Sequence, residues 1–155
     1  MAKTAAVRIL EAARCDFQLC HYAYVERGGT RASSLALGVD EHCVVKTLIF
    51  EQSDSKPLIV LMHGDSQVSA KGLARQLGAK SVKPCTPQVA QKHSGYQVGG
   101  TSPFGTRKAM PIYMQRSIAD LECIYINGGK RGLLLKLAPE VVVQVLGPTL
   151  VDVCA

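Results

Sequence analysis

One lysine lies inside an apolar segment, where an ammonium group is unusual. Residues 44–50 read Val-Val-Lys-Thr-Leu-Ile-Phe, and these β-branched and aromatic types predict a strand. Because alternate side chains of a strand point to opposite faces, Lys46 shares its face with Val44, Leu48 and Phe50. Lys46 is then either a solvated lysine on a half-exposed strand or a cation directed into a pocket. In a pocket, the lower dielectric strengthens its attraction for developing negative charge.

A glycine-rich segment is the second feature that could carry chemistry. Residues 95–105 read Gly-Tyr-Gln-Val-Gly-Gly-Thr-Ser-Pro-Phe-Gly. Glycine permits positive φ and lets a ligand approach the main chain, while Pro103 restricts the end of the segment. Successive amides can converge on an anion or a carbonyl oxygen, although a purely structural loop fits the composition equally well. The spacing excludes both a P-loop and a dinucleotide-binding motif. The main-chain amides that could act as donors in this way are those of Gly99, Gly100, Thr101 and Ser102.

A basic turn is predicted between two apolar segments near the C-terminus. Residues 127–132 read Asn-Gly-Gly-Lys-Arg-Gly, and the Asn-Gly pair is typical of a β-hairpin turn. Lys130 and Arg131 place two cations on this turn, where they could contact phosphate groups. The structural and the functional interpretation of this segment are compatible with each other.

No other motif indicates a protein nucleophile, a metal site or a cofactor. Ser94 and Ser102 lack the Gly-x-Ser-x-Gly pattern of a nucleophile elbow, and Cys85 has no evident activating partner in the sequence. The four histidines have no metal-ligand spacing, and the six scattered cysteines form no Cys-x-x-Cys pair, which favours reduced thiols. If the protein is an enzyme, we therefore expect catalysis by positioning and electrostatics.

The composition favours a cytosolic protein with a polyanionic partner. The 155 residues are 47% apolar but only 5% aromatic, which predicts an aliphatic core. Eighteen basic against 12 acidic residues give a net charge of +6, which favours contacts with phosphates. No apolar run reaches the roughly 18 residues of a membrane span. The N-terminal residues also lack the apolar stretch of a signal peptide.

Helices and strands are predicted to mix without regular alternation, which indicates a single α+β domain over residues 1–155. Cap residues and apolar periodicity predict helices over 4–14, 30–38, 70–77, from 86 onward, and over 139–146. The predicted strands cover 17–22, 44–50, 58–62, 122–127, 133–137 and 150–153.

Together, these residues resemble the YbaK family of aminoacyl-tRNA deacylases, which is related to the editing domain of bacterial prolyl-tRNA synthetases. The similarity extends over nearly the whole chain, and the order and spacing of the motifs agree. Its most specific parts are residues 45–48, 89–91, 95–105 and 128–132.

The resemblance implies a mixed, mostly antiparallel sheet curled towards a barrel, with flanking helices and one open cleft. It implies that Lys46 is the catalytic-site cation and that residues 99–103 form the family's Gly-x-x-x-Pro substrate loop. The residues implied to contact the substrate are Tyr22, Thr47, Pro103, Asn127, Gly128, Lys130 and Arg131.

The sequence departs from the family pattern beside the basic turn. The cysteine-specific members carry Ser before Gly-Gly-Lys-Arg-Gly, where this chain has Asn127. An acidic pocket residue is expected two positions after Gly132, where this chain has Leu134. Deacylation is expected in spite of both changes.

The expected reaction removes a wrongly attached small amino acid, above all Cys from Cys-tRNA(Pro) or Cys-tRNA(Cys). In the family, the thiol of the substrate is thought to attack its own ester and leave as a cyclic thioester, and water attack is the alternative. The implied partners are the acceptor end of tRNA(Pro) and prolyl-tRNA synthetase, with no membrane and no cofactor. The sequence leaves three alternatives: removal of Ala or Ser, a non-catalytic module that binds tRNA or a synthetase, and a regulator of other nucleic acids.

Overall fold

The computed structural model describes residues 2–155, which form one mixed sheet with helices packed on it. The helices are α1 (Ala5–Ala12), α2 (Gly29–Leu37), α3 (Ala70–Leu77), α4 (Pro87–Ser94) and α5 (Pro139–Leu146). The strands are β1 (Gln18–His21), β2 (Val44–Gln52), β3 (Pro57–His63), β4 (Val82–Pro84), β5 (Ile112–Gln115), β6 (Ile124–Asn127), β7 (Leu133–Leu137) and β8 (Thr149–Val151). Short 3₁₀ turns cover Glu41–Cys43 and Arg116–Asp120.

The predicted helix ends are confirmed by the cap geometry. The hydroxyl groups of Thr4, Ser69 and Thr86 accept hydrogen bonds from the first turns of α1, α3 and α4. Gly38 and Gly78 end α2 and α3 in the left-handed conformation that glycine adopts most easily. Helix α1 is shorter than predicted and stops at Ala12.

The sheet has the strand order β1-β7-β6-β2-β3-β5-β8 and contains the predicted hairpin as the antiparallel pair β6–β7. Strands β2 and β3 form a second antiparallel pair. Parallel pairs join β2 to β6, β3 to β5, and β5 to β8. Strands β4 and β5 have no counterpart in the prediction. Because β1 and β8 lie at opposite ends of the order, the sheet stays open and does not close into a barrel.

Strand β2 has a gap along one of its edges. Strand β3 pairs with one edge over residues 45–51, so the other strands that contact β2 must use the opposite edge. There, β6 pairs with Val44 and Val45, while β4 pairs with residues 50–52. Residues 46–48 lie between the two, and among residues 2–155 they have no strand partner on this edge. The sheet therefore opens beside Lys46.

The two faces of the sheet carry separate apolar clusters. Val45 and Ile49 belong to the cluster under α1, α4 and α5, and Phe50 belongs to the cluster under α3. Both clusters are mainly aliphatic, as the composition predicts. Within residues 2–155, no helix has the length and apolar character needed to span a bilayer.

Candidate active site

A cavity of about 530 Å³ occupies the gap in the sheet. Residues 44–50 of β2 form one wall, and side chains from the segment after β1, from β6 and from β7 form others. The predicted site residues that line this cavity are Tyr22, Lys46, Thr47, Gly99, Thr101 and Asn127. Ser102, Pro103, Gly128, Lys130 and Arg131 do not line it, and neither does Gly100.

The side chain of Lys46 is half-buried at this cavity and does not extend into bulk water. Its ammonium donates a hydrogen bond to the main-chain oxygen of Ser66 at 2.5 Å. Burial lowers the pKa of Lys46, although the charges of Glu41 and Asp65 oppose this shift. Lys46 therefore lines the same cavity as Gly99 and Thr101 of the glycine segment.

Hydrogen bonds fix the acidic surroundings of Lys46. The side chain of His42 bonds to Asp65 through Nδ1 at 2.9 Å. Burial raises the pKa of the Asp65 carboxyl, but the hydrogen bond and charge of His42 outweigh it and lower that pKa overall. On the other side, the Thr30 hydroxyl donates to Glu41 at 2.7 Å. The negative charges of Glu41 and Asp65 therefore favour the charged form of the lysine.

The glycine segment offers fewer free amides than predicted. The amide of Gly100 donates to the main-chain oxygen of Gln97 at 2.8 Å, so this donor is already used inside the loop. Within residues 2–155, the amides of Gly99, Thr101 and Ser102 donate to no protein acceptor. The Ser102 side chain is fully buried, where its hydroxyl accepts from the amide of Phe104 at 3.1 Å. Because Ser102 is buried and does not line the cavity, the amides of Gly99 and Thr101 are the two donors that remain for a ligand.

Tyr24 is a cavity residue that the sequence analysis missed. A Cβ atom on Gly99 would lie 2.6 Å from the Tyr24 hydroxyl, so this close approach requires glycine at position 99. The guanidinium of Arg131 lies 4.8 Å from the Tyr24 ring centroid, and its Nε donates to the main-chain oxygen of Val98 at 2.9 Å. The sequence signal that could have indicated Tyr24 was its spacing of two residues from Tyr22, the predicted pocket tyrosine.

The basic turn packs directly against the glycine segment. A Cβ atom on Gly100 would lie 2.8 Å from main-chain atoms of Lys130 and Arg131. The side-chain amide of Asn127 donates to the main-chain oxygen of Gly99 at 3.0 Å. Asn127 lies opposite Leu134 in the β6–β7 pair, and both line the cavity. The two positions that depart from the family pattern are thus neighbours in one wall.

Cys85 is the one cysteine within residues 2–155 that lines the cavity. Burial, together with the negative charge of Glu51, raises the pKa of its thiol to about 11. The group is therefore a neutral thiol at pH 7 and a weak nucleophile. Its donor atom lies within 4.8 Å of side-chain donor atoms of Glu51 and His93, which makes this group of three the place where a metal ion could bind.

Comparison with known proteins gives a consistent result. The model of the aminoacyl-tRNA editing domain family matches residues 30–145. EbsC of Enterococcus faecalis, named as a candidate Cys-tRNA(Pro)/Cys-tRNA(Cys) deacylase, is 29% identical over 144 residues, which cover 92% of this chain and 87% of EbsC. A proline–tRNA ligase of Streptococcus equi subsp. zooepidemicus is 31% identical over 96 residues, which cover 62% of this chain but only 15% of the ligase.

Two solved structures share the fold. A hypothetical protein superposes with a TM-score of 0.89 at 22% identity, with 97% of this chain and 99% of that one covered. A candidate trans-editing enzyme for prolyl-tRNA synthetase superposes with a TM-score of 0.85 at 18% identity, with 100% and 99% covered. At these identities the superpositions establish the architecture only.

Proposed function

Because the chain belongs to the aminoacyl-tRNA editing domain family, we propose that it is a trans-editing deacylase that removes Cys from Cys-tRNA(Pro). One observation carries the proposal: Lys46 and the glycine segment line the same cavity in the gap of the sheet. The fold alone would be compatible with a binding module. A cavity with a cation and free main-chain donors is suited to chemistry on an ester.

The cavity offers what ester cleavage needs. Attack on the carbonyl carbon moves negative charge onto the carbonyl oxygen, and fixed donors that face this oxygen lower the barrier. Within residues 2–155, the amides of the cavity-lining residues Gly99 and Thr101 donate to no other acceptor, which leaves them for this oxygen. The ammonium of Lys46 adds positive charge or orients the terminal ribose and phosphate of the tRNA.

The attacking atom is best supplied by the substrate. Since Cys85 is a protonated thiol at neutral pH, it is not a competent nucleophile in the metal-free protein. A cysteinyl ester carries its own thiol: the sulfur bonds to the carbonyl carbon and the bond to the ribose oxygen breaks. That oxygen takes up the proton that the thiol loses. The products are a cyclic thioester and free tRNA, so no water is consumed.

The polarity of the cavity fits a neutral side chain. Its walls are mostly apolar, and Leu134 occupies the position where the family resemblance implies an acid. Relatives named for Cys-tRNA(Pro) and Cys-tRNA(Cys) support cysteine as the amino acid. If the enzyme instead removes Ala or Ser, the substrate has no thiol and water must attack. The identity of the amino acid that is removed therefore decides between attack by the substrate thiol and attack by water.

The tRNA is proposed to be tRNA(Pro), delivered in the presence of prolyl-tRNA synthetase. The similarity to a segment of proline–tRNA ligases supports this partner, and the basic turn beside the cavity offers contacts for the acceptor end. Reaction in the cytosol, where the synthetase charges tRNA, remains a prediction from the sequence.

The test is a panel of tRNA(Pro) charged with Cys, Ala or Ser, each incubated with the protein with and without prolyl-tRNA synthetase. We expect fast release of free tRNA from the Cys-charged species and slow release from the others. A non-catalytic module would protect the ester from spontaneous hydrolysis, and that result would reject the proposal. Equal rates on Ala and Cys would reject the thiol mechanism but keep deacylation.

A further inference from the structure

Three side chains with metal-binding chemistry meet beside the cavity. The donor atoms of Glu51, Cys85 and His93 all lie within 4.8 Å of one another. The His93 Nε2 and Glu51 Oε2 atoms are 3.0 Å apart, with 11% and 19% of the two side chains exposed. The three residues are 34 and 8 positions apart along the chain, so no short sequence motif could reveal the group.

Independent elements hold the three residues in place. Glu51 lies on β2, opposite Lys83 of β4. The amide of Cys85 donates to the main-chain oxygen of Ile49 at 2.9 Å, which fixes the cysteine against β2 just before α4. His93 lies in the last turn of α4, where its main-chain oxygen accepts from the amide of Lys108 at 3.0 Å. The donor group is therefore built by the fold rather than by one flexible loop.

Thiolate, imidazole and carboxylate are the three ligand types that zinc uses. With bond lengths of about 2.0–2.3 Å and tetrahedral angles, zinc ligands lie about 3.3–3.8 Å from one another. All separations in the present group are within 4.8 Å, so the side chains need to close by at most about 1.5 Å. Side-chain rotation supplies such a change without main-chain movement.

We propose that Glu51, Cys85 and His93 bind one divalent cation of the zinc type. Three protein ligands leave the fourth tetrahedral position for water or another ligand. Because Cys85 lines the cavity, the ion reaches the three ligands through the cavity. The metal site therefore shares one wall with the proposed active site. On binding, the thiol proton is released to solvent and the sulfur coordinates as thiolate.

The competing explanation is a Glu–His ion pair with a thiol nearby. It predicts the same 3.0 Å contact between His93 and Glu51 but gives Cys85 no role. The cysteine therefore distinguishes the two explanations, because a metal site requires its sulfur and an ion pair does not.

The experiment titrates the metal-free, reduced full chain with Zn²⁺ against a chromophoric chelator and, separately, with Co²⁺. We expect one ion per chain and a near-ultraviolet thiolate-to-cobalt charge-transfer band. Cys85→Ser should abolish the band and weaken zinc binding by more than about tenfold, since even outer-sphere changes cost 10- to 100-fold. The matched control Cys154→Ser removes an exposed cysteine and should change neither result. Loss of the band in the control alone would overturn the assignment.

A second measurement uses the wild-type chain and so does not depend on a variant that folds. Alkylation of each cysteine is mapped by mass spectrometry with and without Zn²⁺. Zinc should protect Cys85 while Cys154 still reacts. Absence of zinc binding, or equal alkylation of Cys85 in both samples, would overturn the proposal. Neither readout uses deacylation, so failure here leaves the proposed function unaffected.

Discussion

The side-chain amide of Asn127 donates to the main-chain oxygen of Gly99 over 3.0 Å, and this bond joins β6 to the glycine segment. The oxygen of the same side chain accepts from the amide of Gly129 at 2.7 Å. One residue thus holds both loops beside the cavity. The placement of the Gly99 amide, and with it one proposed donor, depends on this residue.

Asn127→Ala should therefore reduce deacylation by about tenfold. Each hydrogen bond contributes about 1 kcal/mol, and their loss lets the glycine segment move relative to the lysine. Single-turnover deacylation of Cys-tRNA(Pro) measures the rate, and urea unfolding measures the stability change. Gln88→Ala, at an exposed position of α4, is the control and should match the wild type. A wild-type rate for Asn127→Ala would show that the loop position does not depend on this residue.

Gly99→Ala should abolish activity through a steric conflict at the cavity. The new Cβ atom would lie 2.6 Å from the Tyr24 hydroxyl, at a residue with a φ of +91°. Gly78→Ala is a matched control, because its φ is +67° and no atom lies within 4 Å of its Cβ position. Both variants should lose about 1 kcal/mol of stability from the left-handed conformation, but only Gly99→Ala should lose deacylation. Equal activities would contradict the close approach.

Local signals predicted most of the fold. The Thr86-Pro87 pair, Ser69 and the glycines that end helices act through hydrogen bonds and φ preferences within a few residues. The prediction therefore found α3 at its observed bounds and α4 at its observed start. Strand β5 was missed because it has only four residues and its partners, β3 and β8, are distant in the chain. Strand pairing between segments that are distant in the chain cannot be predicted from a local sequence pattern.

The same distinction applies to the site. Lys46 and the glycine segment stand out locally, as a charge in an apolar strand and a run of residues that permit positive φ. The free edge of β2, which brings them to one cavity, results from where β4 and β6 stop. Tyr24 had only its spacing from Tyr22 as a local signal, and the group around Cys85 depends on packing between distant segments, which the sequence could not reveal. The use of the Gly100 amide within the loop is likewise visible only in three dimensions.

The pH profile should reflect the lowered pKa of Lys46. Since burial lowers this pKa, an activity that needs the ammonium should fall at a lower pH than the ordinary lysine value of about 10.4. Lys46→Arg remains charged, so any activity that it retains should lack this fall. The measurement is the deacylation rate against pH, after subtraction of uncatalysed ester hydrolysis.

The effect of Lys46 deprotonation on stability distinguishes the expected loss of activity at high pH from unfolding. The unfolded chain binds the Lys46 proton more tightly than the folded one, so this group's contribution to stability increases as pH rises through the lowered pKa. Activity should therefore fall while the circular-dichroism signal of the fold is unchanged. A parallel loss of both signals would contradict the assignment.

Arg131→Ala should weaken tRNA binding and leave the rate of the chemical step nearly unchanged. The guanidinium lies over Tyr24 and donates to the Val98 oxygen, and we propose that it contacts a phosphate of the acceptor end from this position. We expect KM to rise severalfold and kcat to change little. The slope of the logarithm of the tRNA-binding constant against the logarithm of salt concentration should decrease by about one. Arg75→Ala, at an exposed position of α3 outside the cavity lining, is the control. An identical effect of both variants would indicate a general charge effect only.

The most direct test of the account is single-turnover deacylation of Cys-tRNA(Pro) by Lys46→Ala, with tRNA binding measured in the same samples. Lys56→Ala is the control, because that side chain is 76% exposed in the turn between β2 and β3. The account predicts that Lys46→Ala loses deacylation and retains most of its tRNA binding, while Lys56→Ala matches the wild type. A wild-type deacylation rate for Lys46→Ala would contradict it.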